Sequence, residues 1–220
     1  MSYNYSRRNH CGGCQQRSCS CGSNGGNGGN MSNRCNVLGP FVAIDRDCII
    51  PPVSTGSIIP FSSGIVPSAL VSAVGGVAGT VSLVGFGTSI PAVTLLGATI
   101  TVPAVNEAFS VPRTGSISSI SASFTVTVAL DILGEETIVN AQIYRAPAGS
   151  NVFSATGVSV NLAPALTSLI TVGTTLTGTS SNFAPVPVAA GDRLLMVFSI
   201  SDTTLVAAVT GNASAGITID

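Results

Sequence analysis

The stretch Ser116–Leu130, SISSISASFTVTVAL, constrains the fold more than any other part of the chain. Ile120, Ala122, Phe124, Val126, Val128 and Leu130 fall on one side, and Ser119, Ser121, Ser123, Thr125 and Thr127 on the other. A period of two with one apolar face predicts a half-buried β-strand. Gly115 precedes it and Gly134 follows it, and its length suggests a bend midway. An isolated strand cannot cover its own apolar face, so the rest of the chain has to supply neighbours.

The remaining sequence reads the same way. Short β-branched and apolar runs separated by Gly, Pro, Ser and Asn predict strands near residues 57–61, 80–85, 91–96, 99–102, 108–111, 137–145, 157–162, 168–178, 186–188, 193–201 and 205–219. No long helix is expected; residues 69–79 are read as a short helical turn or a loop around the Gly75–Gly76 pair. Arg193–Ser201, RLLMVFSIS, is apolar on both of its faces and is expected to be buried on both, with Gly191-Asp192 as a tight turn ahead of it. A Gly-Asp turn leading into such a strand near the C-terminus is common in trimeric jelly rolls of the tumour-necrosis-factor and C1q type. The expected fold class is therefore all-β, a jelly-roll sandwich with an extended N-terminal arm.

Three regions follow from the composition. Residues 1–30 hold four of the six cysteines and a Gly/Asn tract with little to bury, and are expected to be flexible. Residues 31–56 gather Val37, Leu38, Phe41, Val42, Ile44, Ile49 and Ile50 around Cys35 and Cys48 and close on Pro51-Pro52, which favour a stiff extended link. This segment is expected to dock as a connector arm on a sheet edge of its own or a neighbouring domain. Residues 57–220 form the sandwich, the head.

Charge narrows the function. Charged residues are 8% of the chain against about 25% usually, Lys is absent, and no charge occurs between Asp47 and Glu107. A soluble monomer keeps charges on its faces and edges, so this surface is expected to be covered by other copies. Net charge −1 with scattered Arg leaves no basic stripe for nucleic acid. Mean hydropathy is high at +0.55, but the apolar runs are too interrupted for a spanning helix, so no membrane partner is expected. The N-terminal residues lack the apolar core of a secretory signal.

The segments SIIPFSSG (57–64), GTVSLVGFGTS (79–89), FSVPRTGSISSISASF (109–124), NLAPALTSLITVGT (161–174), AAGDRLLMVFSIS (189–201) and VTGNASAGITID (209–220) occur in collinear order. Together they resemble the C-terminal domain of the collagen-like exosporium glycoprotein BclB family of Bacillus. The resemblance covers about residues 57–220 and implies a jelly roll, a homotrimer and a place on the outermost layer of an endospore. The chain departs from that family in lacking Gly-X-Y repeats before the head, which points to a subunit joining heads directly, as in a thin spore appendage. The resemblance also implies synthesis in the mother-cell cytoplasm without a signal peptide, and other exosporium or spore-coat proteins as neighbours. Lysis would then expose the cysteines to oxidation.

Cys11, Cys14, Cys19, Cys21, Cys35 and Cys48 all precede the head. They are expected to form intermolecular disulfides or mixed crosslinks, with Cys35 and Cys48 the leading pair of candidates. A zinc site and free thiols are the alternatives; zinc is disfavoured because a second Cys-x-x-Cys or a His pair at standard spacing is missing. No cofactor and no metal are expected. The single His10 has no carboxylate near it in sequence, so a Ser-His-Asp arrangement within the head is not expected. Asp131, Glu135 and Glu136 read as a solvated turn, Asp192 as the cap of its turn, Arg113 as a partner for Glu107, and Phe86 between two glycines as an aromatic anchor at a bend or a trimer axis. Asn212-Ala-Ser is read as a chance match to a glycosylation acceptor.

The sequence thus points to a non-enzymatic structural subunit: a trimer of jelly-roll heads polymerised through the N-terminal arm and locked by disulfides. The alternative is a trimeric display or adhesion head that binds host or environmental ligands and stops at the trimer.

Overall fold

A computed structural model describes residues 56–72, 78–94, 99–102, 107–130, 137–167, 171–201 and 207–220. The first region and the connector arm, with every candidate disulfide and docking residue, lie outside the described residues, as do Asp131, Glu135 and Glu136. Thirteen strands follow in order: β1 Ser57–Ser62, β2 Ser68–Ser72, β3 Ala78–Val84, β4 Ser89–Thr94, β5 Thr99–Thr101, β6 Phe109–Ser110, β7 Gly115–Leu130, β8 Ile138–Ala146, β9 Val152–Asn161, β10 Thr175–Ser180, β11 Val186–Val188, β12 Arg193–Ser201 and β13 Ala208–Ile219. All pairings between named strands are antiparallel.

The strands form two layers. Sheet I has the order β1-β13-β7-β10, with β11 extending the start of β7. Sheet II has β12 at its centre, flanked by β8 and then β9 on one side and by β3 and β6 on the other. The chain passes between layers from β6 to β7, from β7 to β8, from β9 to β10, from β11 to β12 and from β12 to β13, while the first and last strands lie side by side. This double Greek-key order is the jelly roll expected from the sequence. β2 pairs with both β13 and β3 and so closes one corner between the layers.

Ile120, Ala122, Phe124 and Val126 of β7 meet Leu194, Met196, Phe198 and Ile200 of β12 and Val139, Ala141 and Ile143 of β8 in the main core. The rings of Phe124 and Phe198 lie 6.2 Å apart at its centre. As expected, β12 is buried on both faces: Leu195 and Val197 join Val81, Leu83, Tyr144 and Phe153 in a second cluster, which Ile90 and Val93 of β4 and Ile100 of β5 help to cover. β4 bends at Ala92, which takes a left-handed φ of 59° where its register against β3 shifts.

Tyr144 sits in this second cluster, and burial raises its phenol pKa above the ordinary value. The folded chain therefore holds that proton more tightly than the unfolded chain, so the unfolded state gives it up first as pH rises. The stabilisation is complete below the unfolded-state value of about 10 and is lost as pH climbs through the higher folded-state value. Thermal melts across alkaline pH should show stability falling above about pH 10, with a shallower fall for Tyr144→Phe.

Three sequence expectations are corrected. Residues 68–72 are a strand, not a helical turn or loop. Its buried side carries Ser68 and Ser72 around Leu70, so its polarity is inverted relative to an ordinary strand. The serines are tolerated because each is bonded: Ser68 Oγ lies 3.1 Å from Ser89 Oγ, and Ser72 Oγ accepts the Ala207 amide at 2.8 Å. Val128, expected on the apolar face, is 44% exposed. Thr127 has no partner on β13, its hydroxyl bonds Thr210 O instead, and the extra residue turns the strand's faces over. Arg113 does not pair with Glu107; it donates to Ser57 Oγ at 3.3 Å, while Glu107 accepts from Thr88 Oγ1.

Candidate functional site

Sheet II covers the part of its outward face around Leu195 and Val197 with its own second cluster, leaving Asn140, Gln142, Ser159, Asn161 and Ser199 at least partly open, whereas sheet I keeps its broad face open. Strict alternation on β7 turns Ser119, Ser121, Ser123 and Thr125 outward because Ile120, Ala122, Phe124 and Val126 are drawn into the core. The ladder then places neutral residues beside each of them. Ile58, Thr218 and Ser119 form one row; Pro60, Gly216, Ser121 and Thr179 the next; Ser62, Ser214, Ser123 and Thr177 the third; Asn212, Thr125 and Thr175 the fourth. No row contains a charge.

Many of these hydroxyls already satisfy each other. Ser119 donates to Thr218 at 2.8 Å, and the Ser121–Thr179 and Thr125–Thr175 pairs stand at 3.1 and 3.0 Å. Such cross-strand pairs stiffen the face and lower the cost of drying it. Short side chains also lose little rotamer entropy when covered. The face is therefore suited to packing against another protein surface, and it has no charge with which to hold an ion or a phosphate.

One described ionic group, Asp220, borders the end of this face, where it exchanges backbone hydrogen bonds with Ser116 at 3.0 Å; the others sit elsewhere. Asp192, at the start of β12, accepts the Ala189 amide at 2.9 Å and so caps its turn as expected, and it lies 3.8 Å from Arg145 Nε. Arg193 places its guanidinium 5.2 Å from the centre of the Phe153 ring and bonds Asn151 Oδ1 at 2.6 Å. Both arginines tie strand ends to loops. A groove of about 300 Å³ opens between Arg145, Ser154, Thr156 and Val186, but the Arg145 guanidinium is taken up by Pro187 O at 2.7 Å and by Asp192. Among the described residues no group of three or more His, Cys, Asp or Glu side chains could hold a metal, and none of their helices is long and apolar enough to cross a membrane.

Phe86 is the anchor at a bend that its flanking glycines suggest. Its ring stacks on Phe61 at 5.5 Å and tilts against Phe109 at 6.1 Å, yet it stays 56% exposed. Gly87 takes a φ of 111°, and Gly64 packs so closely on the Gly87 carbonyl that a Cβ would not fit there. Sequence reasoning missed the continuity of the sheet I face because only β7 shows clean alternation of polar and apolar residues. β13 inserts small residues on its buried side, Gly211, Ala213 and Ala215, which blur the signal.

These features define a jelly-roll domain with one partly self-covered face and one open face whose four central rows carry no charge. Over 162 residues the chain is 39% identical to Collagen-like protein 1 of Acanthamoeba polyphaga mimivirus. That alignment takes in 69% of this chain and 17% of the viral protein, so the chain spans a small part of its relative's length. Among solved structures it is similar to Eiger TNF from S. frugiperda, with a TM-score of 0.32, 13% identity, and coverage of 74% of this chain and 94% of that one. No protein-family model matches.

Proposed function

We propose that the chain is a structural, self-assembling subunit of the endospore surface. Its heads associate as a homotrimer through the charge-free face of sheet I, and the N-terminal arm links trimers into a fibre that cysteines lock covalently. The observation that carries this reading is the four-row uncharged face of sheet I, set against a sheet II whose outer side is covered in part by its own second cluster. A broad face without charge is poorly defended against association, so a stable chain covers it with copies of itself.

The edges support face-to-face packing over strand addition. Pro60 lies within β1, Pro91 within β4 and Pro187 within β11, and each of these outer strands therefore lacks an amide that a neighbouring strand would need. Placement on the spore surface rests on the sequence resemblance to the BclB family. The likeness to a collagen-like protein favours a second reading, a trimeric display or adhesion head that ends a longer protein.

Negative-stain images of the full chain beside a version lacking residues 1–56, each with and without reductant, separate the two. Fibres from the full chain, discrete trimers from the truncation and shortening under reductant are the expected results. Discrete trimers from both versions would leave the display head as the better account.

A further inference from the structure

Among the described residues, the side of the sandwich that carries β1 is closed along only half its length. β2 bridges the layers beside the first residues of β13, whereas beside its last residues β1 forms the margin of sheet I and β6 the margin of sheet II. A shallow groove of about 40 Å³ lies between these margins, with Ile59, Phe109, Val111, Pro112 and Ile219 along it and Arg113 at its rim. Small-molecule pockets run from about 300 Å³ upward, so this groove suits the side chain of an extended peptide. Through Phe109 the apolar strip continues to exposed Phe86.

We propose that this groove is the seat of residues 41–50 of the N-terminal arm of a second copy, with Arg113 at its rim pairing with Asp45 or Asp47. The proposal rests on the connector reading of the arm and says where on the head the connector binds. Charge complementarity selects the occupant. Residues 41–50, FVAIDRDCII, carry Asp45 and Asp47, the only acidic residues before position 56. Arg113 is exposed, and its contact among the described residues is the neutral Ser57 hydroxyl at 3.3 Å; no described carboxylate lies within ion-pair distance of it.

In an extended peptide residues two apart share a face, which puts Phe41, Asp45, Asp47 and Ile49 on one face and Val42, Ile44, Arg46, Cys48 and Ile50 on the other. The first face offers Phe41 and Ile49 to the groove and carboxylates to Arg113, and the second carries the remaining apolar side chains and a thiol for a crosslink. Pro60 interrupts the amides of β1, so side chains more than a continuous ladder hold the occupant. Ser57, the first residue of β1, lines this groove, and Pro51-Pro52 ahead of it favour an extended link over the reversal that docking on the same copy needs.

The test uses the full-length chain. A benzoylphenylalanine photocrosslinker replaces exposed Pro112 in one tagged pool, which is mixed with an unlabelled pool before assembly. The expected product joins two chains through residues 41–50 of the unlabelled one. Arg113→Glu should raise the concentration needed for fibres by roughly tenfold while leaving the melting curve unchanged. Asp45→Arg with Asp47→Arg should do the same, and the three changes together should restore assembly. Crosslinks confined to one chain or landing elsewhere, fibres indifferent to Arg113→Glu, or no rescue by the combined reversal would each overturn the seat. Fibres that persist in Arg113→Glu remove the seat alone, whereas an unaltered chain that makes no fibres removes the connector reading on which it stands.

Discussion

Phe124→Ala is expected to cost about 3–5 kcal/mol of folding stability, the range for removing a large aromatic from a packed core. Phe124 is fully buried at the middle of β7 and faces Phe198 across the two layers. Ile120, Leu176, Met196 and Ala213 belong to the same core, and strands on both sides hold their backbones, so the void has little room to collapse. Stabilities of domains this size are about 5–15 kcal/mol, so the loss is a large share of the total. Urea unfolding of the truncated head followed by circular dichroism reads it directly. A cycle with Phe198→Ala should show a coupling of about 0.5–1.5 kcal/mol from the aromatic contact. A loss below about 1 kcal/mol would mean that the two sheets do not meet at this pair.

Gly211→Ala should destabilise by about 1–3 kcal/mol or more although it adds a single methyl group. A Cβ at Gly211 would stand 2.4 Å from the Thr125 carbonyl oxygen and 2.6 and 2.7 Å from the Phe124 ring. One obstacle is backbone and the other is the ring that the core is packed around, so neither can yield cheaply. The position also adjoins the register shift between β13 and β7, where the strands turn over their faces. Gly157→Ala is the control, because a Cβ there meets nothing within 4 Å, and it should be neutral or slightly stabilising. Equal melting temperatures for the two variants would show that β13 does not approach β7 this closely.

The legibility of the chain differs from element to element. β7 and β12 were readable because burial imposes a pattern that local sequence carries: alternation where one face is covered, and an unbroken apolar run where both are. β2 was not, since its buried positions are serines whose partners, Ser89 and the Ala207 amide, are remote in sequence. The exposure of Val128 was equally hidden, because one unpaired residue opposite β13 decides it and nothing in TVTVAL marks Thr127 as the extra one. Arg113 was matched to the wrong partner for the same reason. Sequence proximity suggested Glu107, but the jelly roll brings β1 beside the chain ahead of β7 and puts Ser57 there instead.

The open face of sheet I divides along similar lines. The amino-acid sequence alone determined that the chain is all-β, that it carries few charges, and that all six cysteines precede residue 57. Those properties are set by composition and by local period, which do not depend on how strands are ordered. Only the tertiary structure decided which residues share a face. Ladder register set Ile58, Thr218 and Ser119 in one row and left the four rows of sheet I without charge, while the outer side of sheet II was covered in part from within. It also decided that, among the described residues, the margin between β1 and β6 is open beside Arg113, because the first and last strands pair and β2 closes only the other half of that side. Pairings between strands more than a hundred residues apart are made by packing, and no short stretch of sequence contains them.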